Sequence, residues 1–399
     1  MAQPTLWAGV DAGKAAHHCV VINADGQRVL SQRVANDETA LTDLIRTVKN
    51  LAGGESVLWA SDLNSGGAAL LITLLLDDDQ ELLYIPGRVV HHASAAYRGD
   101  GKTDAKDAAI IADQARMRRD LHPFRHRDGI AADLRILCAR RTDLASDRNR
   151  SINRLRAQLL EYFPALERAF DLAHRKAALI LLTGYQTPEG LRRMGAARLE
   201  RWLRDRHAYN AGDIAVRALD AAQAQRATVI GQAVAASVVA RLAQTVLNLN
   251  AELADVDAMI ETTFQRHRLA AIITSMPGFG SLLGAELVAA TNGDLASFTT
   301  ADRLAGIAGL APVPHDSGRI SGNLKRPRRY DRRLLRVFYL AANNAIKNSP
   351  ESRTYYDRKR SQGKRHSQAV LCLARRRLNV LWAMQRDNTS YQPGLPRAS

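Results

Sequence analysis

The apolar residues of this chain change their spacing once, near Ala131, and that change limits what it can fold into. Before it, short apolar runs alternate with turn signals: Leu6 to Val10, Cys19 to Ile22, the turn Ala24-Asp25-Gly26, then Val29 to Val34. An Asp-Gly turn between two such runs predicts a β-hairpin. Further strands are expected at Ser56 to Ser61 and Leu82 to Ile85, each followed by helical spacing, which is an α/β layer pattern. After the change, Val239, Leu242, Val246, Leu249, Leu253, Val256 and Ile260 step by three and four, as in the seam of a coiled coil or a long helical hairpin. A companion stretch with Ile130, Leu134, Leu137 and Leu144 carries Arg141 and Arg148 where a seam would hold apolar side chains. Two long helices should pair, within the chain or between subunits.

At 399 residues the chain has room for two or three domains. The expected architecture is α/β plus all-α: a mixed sheet first, a long helical region next, and a helical C-terminal part. Three meandering strands followed by βα units occur in ribonuclease-H-like sheets and also in sugar-kinase and actin-type ATPases, so the strand order alone does not choose a function. The segment from Ala165 to Gln225 reads as a helical insertion, basic along Leu191 to Arg206, and the tail after Arg386, with Pro393, Gly394 and Pro396, reads as disordered.

Fifty-six Lys and Arg against 40 Asp and Glu leave a formal charge of +16. With 46% apolar residues the chain still buries a core, so the charge points to a polyanionic partner rather than to disorder. No stretch approaches the roughly 18 uncharged apolar residues of a membrane span, and Met1 to Pro4 lacks the basic start of a secretory signal. Cys19, Cys138 and Cys372 have no metal-ligand spacing and read as free thiols of a reducing cytosol.

Asp11 ends the first strand in Gly9-Val10-Asp11-Ala12-Gly13, and Asp62 stands just past the fourth. Carboxylates at strand ends are where α/β sheets place catalytic groups, although solvated turn caps use the same residues. Gly101-Lys102-Thr103-Asp104-Ala105-Lys106-Asp107-Ala108 opens a helix with Thr103 as N-cap and with Asp104 and Asp107 on one face of the first turn. The helix dipole alone would favour acids there. Four carboxylates gathered at one sheet end would need cations between them. Oxygen ligands without His or Cys select Mg²⁺ or Mn²⁺, and two such ions about 4 Å apart suit phosphodiester cleavage.

Further on, Ala311-Pro312-Val313-Pro314-His315-Asp316-Ser317-Gly318-Arg319 leads into a run with eight basic residues and one acid between Arg319 and Arg336. That excess is too one-sided for helix ion pairing to explain, so Arg319, Lys325, Arg326, Arg328, Arg329, Arg332 and Arg333 are candidate phosphate contacts. Ser317 is a candidate nucleophile or an ordinary Ser-Gly turn residue. Met276-Pro277-Gly278-Phe279-Gly280 is either a phosphate-binding turn or a tight connection between helices.

Taken in order, GVDAGK, the strand-end acid, GKTDAKDA, MPGFG and LAGIAGLAPVPHDSGRISG resemble the DEDD transposases of bacterial insertion sequences, over roughly Thr5 to Arg125 and Leu269 to Asn344. The resemblance implies a RuvC-like nuclease domain (1–128), a helical coiled-coil region (129–266, with the insertion at about 165–225), a serine-nucleophile domain (267–386) and a tail (387–399). It places the acidic tetrad on Asp11, Asp62, Asp104 and Asp107 and the nucleophile on Ser317. The second acid is usually Glu in such proteins, and here it is Asp62. Expected partners are donor and target DNA, a structured noncoding guide RNA and further copies of the chain, in a bacterial, nucleoid-associated cytoplasmic setting. The competing readings are a metal-dependent RuvC-like nuclease without a covalent intermediate, a sugar-kinase or actin-like ATPase, and a nucleic-acid-binding protein with an inert nuclease fold.

Overall fold

The computed structural model describes residues 4–97, 101, 103–123, 128–295, 298–314, 316, 318, 321–325 and 327–393. They form two compact units, Met1–His126 and Arg127–Ser399.

The first unit is a mixed sheet with β1 (Leu6–Asp11), β2 (Ala16–Asn23), β3 (Arg28–Ala35), β4 (Val57–Ser61), β5 (Glu81–Tyr84) and the two-residue β6 (His122–Pro123), in the order β3-β2-β1-β4-β5-β6. β1 pairs antiparallel with β2 and parallel with β4, and β4 runs parallel to β5. This is the ribonuclease-H-like layout, with β6 added by an edge pairing that no apolar run announced. The Asp-Gly hairpin forms as expected: Gly26 takes φ +79°, and the Asn23 side chain accepts from the N–H groups of Asp25 and Gln27.

Helices cover both sheet faces, which explains why β1 is apolar from Leu6 to Val10 rather than alternating. On one face Leu6, Ala8, Val10 and Trp59 pack with α1 (Glu38–Leu51) and α2 (Ala69–Asp77). On the other, Trp7, Leu58, Ala60 and Leu83 pack with α3 (Gly87–Ser94) and α4 (Asp104–Met117). β3, polar and mostly exposed, is an edge strand.

The second unit is built on two 34-residue helices, α5 (Gly129–Tyr162) and α11 (Gln232–Gln265). They pair antiparallel within the chain, with Arg140 bonded to Glu252, Arg141 to Asp257 and Arg148 to Asn250. The expected coiled-coil seam is corrected in its middle. Val239 and Val246 belong to one core and Ile260 to another, while Leu242, Leu249, Leu253 and Val256 are only half-buried. The arginines of α5 cannot enter an apolar seam uncompensated, and polar partners on α11 meet them.

Between the long helices lie α6 (Pro164–Ala169), α7 (Lys176–Gly184), α8 (Pro188–Met194), α9 (Ala196–Arg204) and α10 (Ala211–Gln223), which close the first of those cores. The basic stretch from Leu191 to Arg206 is not one helix: Gly195 at φ +73° breaks it between α8 and α9. The second core gathers α12 (Ala270–Ser275), α13 (Ser281–Ala290), α14 (Ala301–Ile307), α15 (Arg332–Asn348), α16 (Pro350–Ser361) and α17 (His366–Arg386) around the ends of α5 and α11. A small hairpin, β7 (Val313–Pro314) with β8 (Leu324–Lys325), projects between α14 and α15. The tail read as disordered is docked in part, since the Tyr391 N–H donates to Ser275 Oγ at 2.8 Å and the residue packs on this core. Residues 394–399 lie outside the described residues. No helix among the described residues is long and apolar enough to cross a membrane.

Candidate active site

Sheet register sets the first group of candidates. Gly9 pairs with Ala60 and Val10 with Ser61, so Asp11 and Asp62 leave the same edge of two neighbouring parallel strands. The Ala12 N–H donates to Asp62 Oδ1 at 3.2 Å, which ties the chain after β1 to the acid after β4. The third component arrives through Gly9. A side chain there would put Cβ 2.2 Å from Ala108 O and 2.3 Å from Ala112 N, so only glycine allows the α4 backbone to lie against β1. Ala108 follows Asp107, and this contact sets the first turn of α4 beside the strand ends.

Thr103 caps α4 as expected, accepting from the Lys106 N–H at 3.2 Å. Asp107 is half-buried and Asp104 exposed. Burial is the main cause that holds the Asp62 carboxyl above the ordinary 3.8, and the Asp107 charge adds to it; the Ala12 N–H and His17 oppose. The structure therefore brings Asp62 into the field of Asp107 and into register with Asp11, with Asp104 three residues before Asp107 on the solvent side. Among the described residues no three His, Cys, Asp or Glu side chains stand close enough to enclose one ion as they are.

Sequence reasoning missed the group that braces these loops. His17 on β2 is 1% exposed, and its Nε2 meets Asn36 Oδ1 at 3.1 Å. Asn36 Nδ2 donates to Lys14 O at 3.2 Å and to Gly67 O at 3.0 Å, so one amide links the chain after β1 to the chain after β4. With both amide hydrogens used, Oδ1 must accept, and His17 carries its proton on Nε2. Burial lowers its basicity, against the Asn36 bond and the Asp62 charge. The available signal was a histidine two residues before the apolar run Cys19 to Ile22, on the same face of the strand as Cys19 and Val21.

The second group of candidates lies in the other unit. β7 and β8 pair Val313 with Lys325 and Pro314 with Leu324 and present the loop between them. Ser317, Arg319 and Arg326 lie outside the described residues. Of their neighbours, Asp316 is exposed and accepts from the Asn323 N–H at 3.0 Å, and Gly318 is exposed. Lys325, Arg328, Arg329, Arg332 and Arg333 are all exposed. Asp331 caps α15 by accepting from the N–H groups of Arg333 and Leu334. Two arginines in the first turn of a helix oppose its dipole, so an anion there would relieve both.

The MPGFG segment is a tight connection. Gly278 has φ +89° and sits where a Cβ would be 2.2 Å from Ala341 O, Phe279 is buried, and the buried Arg377 donates to Pro277 O. Burial holds the Arg377 guanidinium down to about 10.

Comparison with known proteins bears on the whole chain. A family model for the DEDD transposases of IS110 elements matches residues 8–164, and one described as transposase IS116/IS110/IS902 family matches residues 270–357. The chain is 65% identical over 399 residues to the 42 kDa protein of insertion element IS900 from Mycobacterium paratuberculosis, covering all of both chains. It is 47% identical over 391 residues to the 44.8 kDa protein of IS116 from Streptomyces clavuligerus, spanning 98% of this chain and 97% of that one. With the 43.6 kDa IS110 protein of Streptomyces coelicolor it shares 36% over 394 residues, 98% of this chain and 96% of that one. A ribonuclease-H-like sheet with acids at its strand ends, matched at both ends of the chain and along its full length, shows that this protein belongs to the IS116/IS110/IS902 family of transposases, enzymes that act on DNA.

Proposed function

We propose that this transposase cuts and rejoins DNA through a serine ester, with Ser317 as nucleophile and with Asp11, Asp62, Asp104 and Asp107 holding the divalent cation that assists it. Ser317 Oγ attacks a DNA phosphorus, the bond from phosphorus to the adjoining nucleoside oxygen breaks, and that oxygen takes the proton that leaves Ser317. The strand is then held as a phosphoserine. Attack by the hydroxyl end of a second strand re-forms a phosphodiester and returns the proton to Oγ, so strands are exchanged without ATP.

The observation that carries this reading is the register that puts Asp11 and Asp62 at one sheet edge, with Asp62 half-buried in the field of Asp107. An all-carboxylate donor set is chemically suited to a hard cation, Mg²⁺ or Mn²⁺. When bound, such an ion supplies positive charge against the charge that develops on the reacting phosphate. The chain's own part is to orient the acids: Ala12 N–H fixes Asp62, and the first turn of α4 carries Asp104 and Asp107. Lys325, Arg328, Arg329, Arg332 and Arg333, with Arg319 and Arg326, hold the phosphate backbone near the serine.

A structured noncoding RNA that pairs with donor and target DNA, and a dimer or tetramer of the chain, belong to the same reading. The +16 charge and the need of strand exchange for more than one cut support them. The assembly would work at the nucleoid of a bacterial cytoplasm. Purified protein incubated with labelled element-end DNA, any copurifying RNA and Mg²⁺ should yield a protein–DNA adduct on a denaturing gel, and Ser317→Ala should still bind DNA but give neither adduct nor recombined product. Cleavage by Ser317→Ala at the wild-type rate, with no adduct from either protein, would instead support a hydrolytic nuclease.

A further inference from the structure

From residue 349 to 386 the chain carries ten basic residues and two acids, a second basic excess separate in sequence from the run between Arg319 and Arg336. Its centre is Tyr355 on α16. The guanidinium carbons of Arg358 and Arg376 lie 5.2 Å and 5.0 Å from the ring centroid, and Lys359 Nζ lies 5.7 Å away. Three cations around one ring repel one another, and the negative ring face offsets part of that cost. The two acids of the stretch have other partners: Asp357 pairs with Arg353 at 2.8 Å, and Glu351 accepts from Ser349 Oγ at 2.9 Å.

These side chains converge on a hollow. Pro350, Glu351, Thr354, Tyr355, Arg358 and Arg376 line a cavity of about 390 Å³ between α16 and α17. Duplex phosphates ride on the outside of a stiff rod too wide to enter a small hollow, whereas a hollow of this size admits one residue of an extended strand. An aromatic wall with arginines across it is the combination by which proteins hold an unpaired base and its phosphate. Arg358, Lys359 and Arg376 lie beyond residue 357, where the second family match ends.

We propose that the hollow around Tyr355 binds one unpaired nucleotide of a single-stranded nucleic acid, with Arg358 and Arg376 on the phosphate and Tyr355 against the base. The site stands apart from the serine chemistry, and its test is a binding measurement that does not depend on strand transfer.

The probes are fluorescent dT20, fluorescent rU20 and a 20-base-pair duplex, each titrated with full-length protein over a range of NaCl concentrations. The double variant Arg358→Gln, Arg376→Gln should bind the single strands about tenfold more weakly and lower their salt slope by about 0.7, from the one lost phosphate contact. Its duplex binding should change by less than about twofold, the share left if duplex phosphates are held elsewhere. Tyr355→Leu should weaken single-strand binding about tenfold, in the range of one lost base stack, and Tyr355→Phe, which keeps the ring, should restore it. A greater loss for rU20 assigns the strand to RNA, and a greater loss for dT20 to displaced DNA. Equal losses for duplex and single strands, or Tyr355→Phe behaving as Tyr355→Leu, would overturn the proposal, as would unchanged binding by the double variant with circular dichroism like the wild type's.

Discussion

The Asp62 carboxylate accepts a hydrogen bond from the Ala12 backbone N–H at 3.2 Å, so the acid that follows β4 is held by the residue that follows Asp11. This single bond couples two strand ends across the parallel ladder. It also keeps Asp62 in a half-buried position that costs stability, because burial and the Asp107 charge both disfavour its ionised form.

That cost leads to a stability test. In chelator at pH 7, Asp62→Asn should raise the melting temperature, since the amide oxygen can still accept from Ala12 while the buried charge is gone. Added Mg²⁺ should raise the melting temperature of the wild type, by mass action on the folded state, and leave Asp62→Asn unmoved. Strand transfer by the variant should fall at least about 100-fold, the scale of losing one charged group that acts on the reacting phosphate. Calorimetry with and without the ion checks the first two outcomes, and a variant less stable than wild type in chelator would refute them.

Gly9 offers a geometric test. Gly9→Ala would place a methyl group against the backbone of Ala108 and Ala112, neither of which can rotate away. Overpacking of this kind costs about 1–3 kcal/mol or more. The expected result is a protein destabilised by at least that much by urea melt, with strand transfer reduced further than stability explains, because α4 and Asp107 are pushed from the strand ends. Gly87→Ala, at a position with open space around it, serves as the control.

The second unit should lose stability on acidification. His267 is buried and donates from Nε2 to Asp128 Oδ2 at 2.9 Å, while its Nδ1 accepts from the Leu269 N–H, which requires the neutral ring. Burial lowers its basicity below the ordinary 6.5, against the pull of Asp128, and Arg268 adds to the lowering. The unfolded chain therefore binds the proton first as pH falls, so stability is full above 6.5 and declines below it. His17, lowered chiefly by burial, acts with the same sign in the first unit. Melting temperature followed from pH 7.5 to 5.5 should fall, and His267→Gln should flatten part of the decline. A curve that rises on acidification would contradict the assignment.

Asp128 also caps α5, accepting from the N–H groups of Ile130 and Ala131. Asp128→Ala removes the cap, worth about 1 kcal/mol, and leaves the His267 N–H without its partner, which adds about 1–3 kcal/mol. A loss of about 2–4 kcal/mol in a urea melt is expected, and a change under about 0.5 kcal/mol would show that the pair does not hold α5.

The exposed cations Lys325, Arg328 and Arg329 should act through phosphates. Neutralising all three with Gln should weaken duplex DNA binding alike for every sequence and reduce its salt slope by about 2.7, at about 0.9 per contact. An altered sequence preference with an unchanged slope would assign them to bases instead.

What could be read from the residues alone is what depends on neighbours in sequence. The Asn23–Gln27 turn with Gly26, the Thr103 cap that starts α4, the strand ends bearing Asp11 and Asp62, and the basic run before α15 all follow from spacing and side-chain chemistry within a few residues. Tertiary structure decided the rest, because the partners are far apart along the chain. Gly9 reads as an ordinary strand glycine until Ala108 is laid against it. His17 reads as a strand histidine until Asn36 turns it into a brace for two loops. Arg148 reads as a flaw in an apolar seam until Asn250, 102 residues away, meets it, and Arg377 reads as one more surface cation until Pro277 O takes its hydrogen bond inside the core. The physical reason is the cost of burying a polar group: a sequence shows that such a group exists, and only the fold shows which distant partner satisfies it.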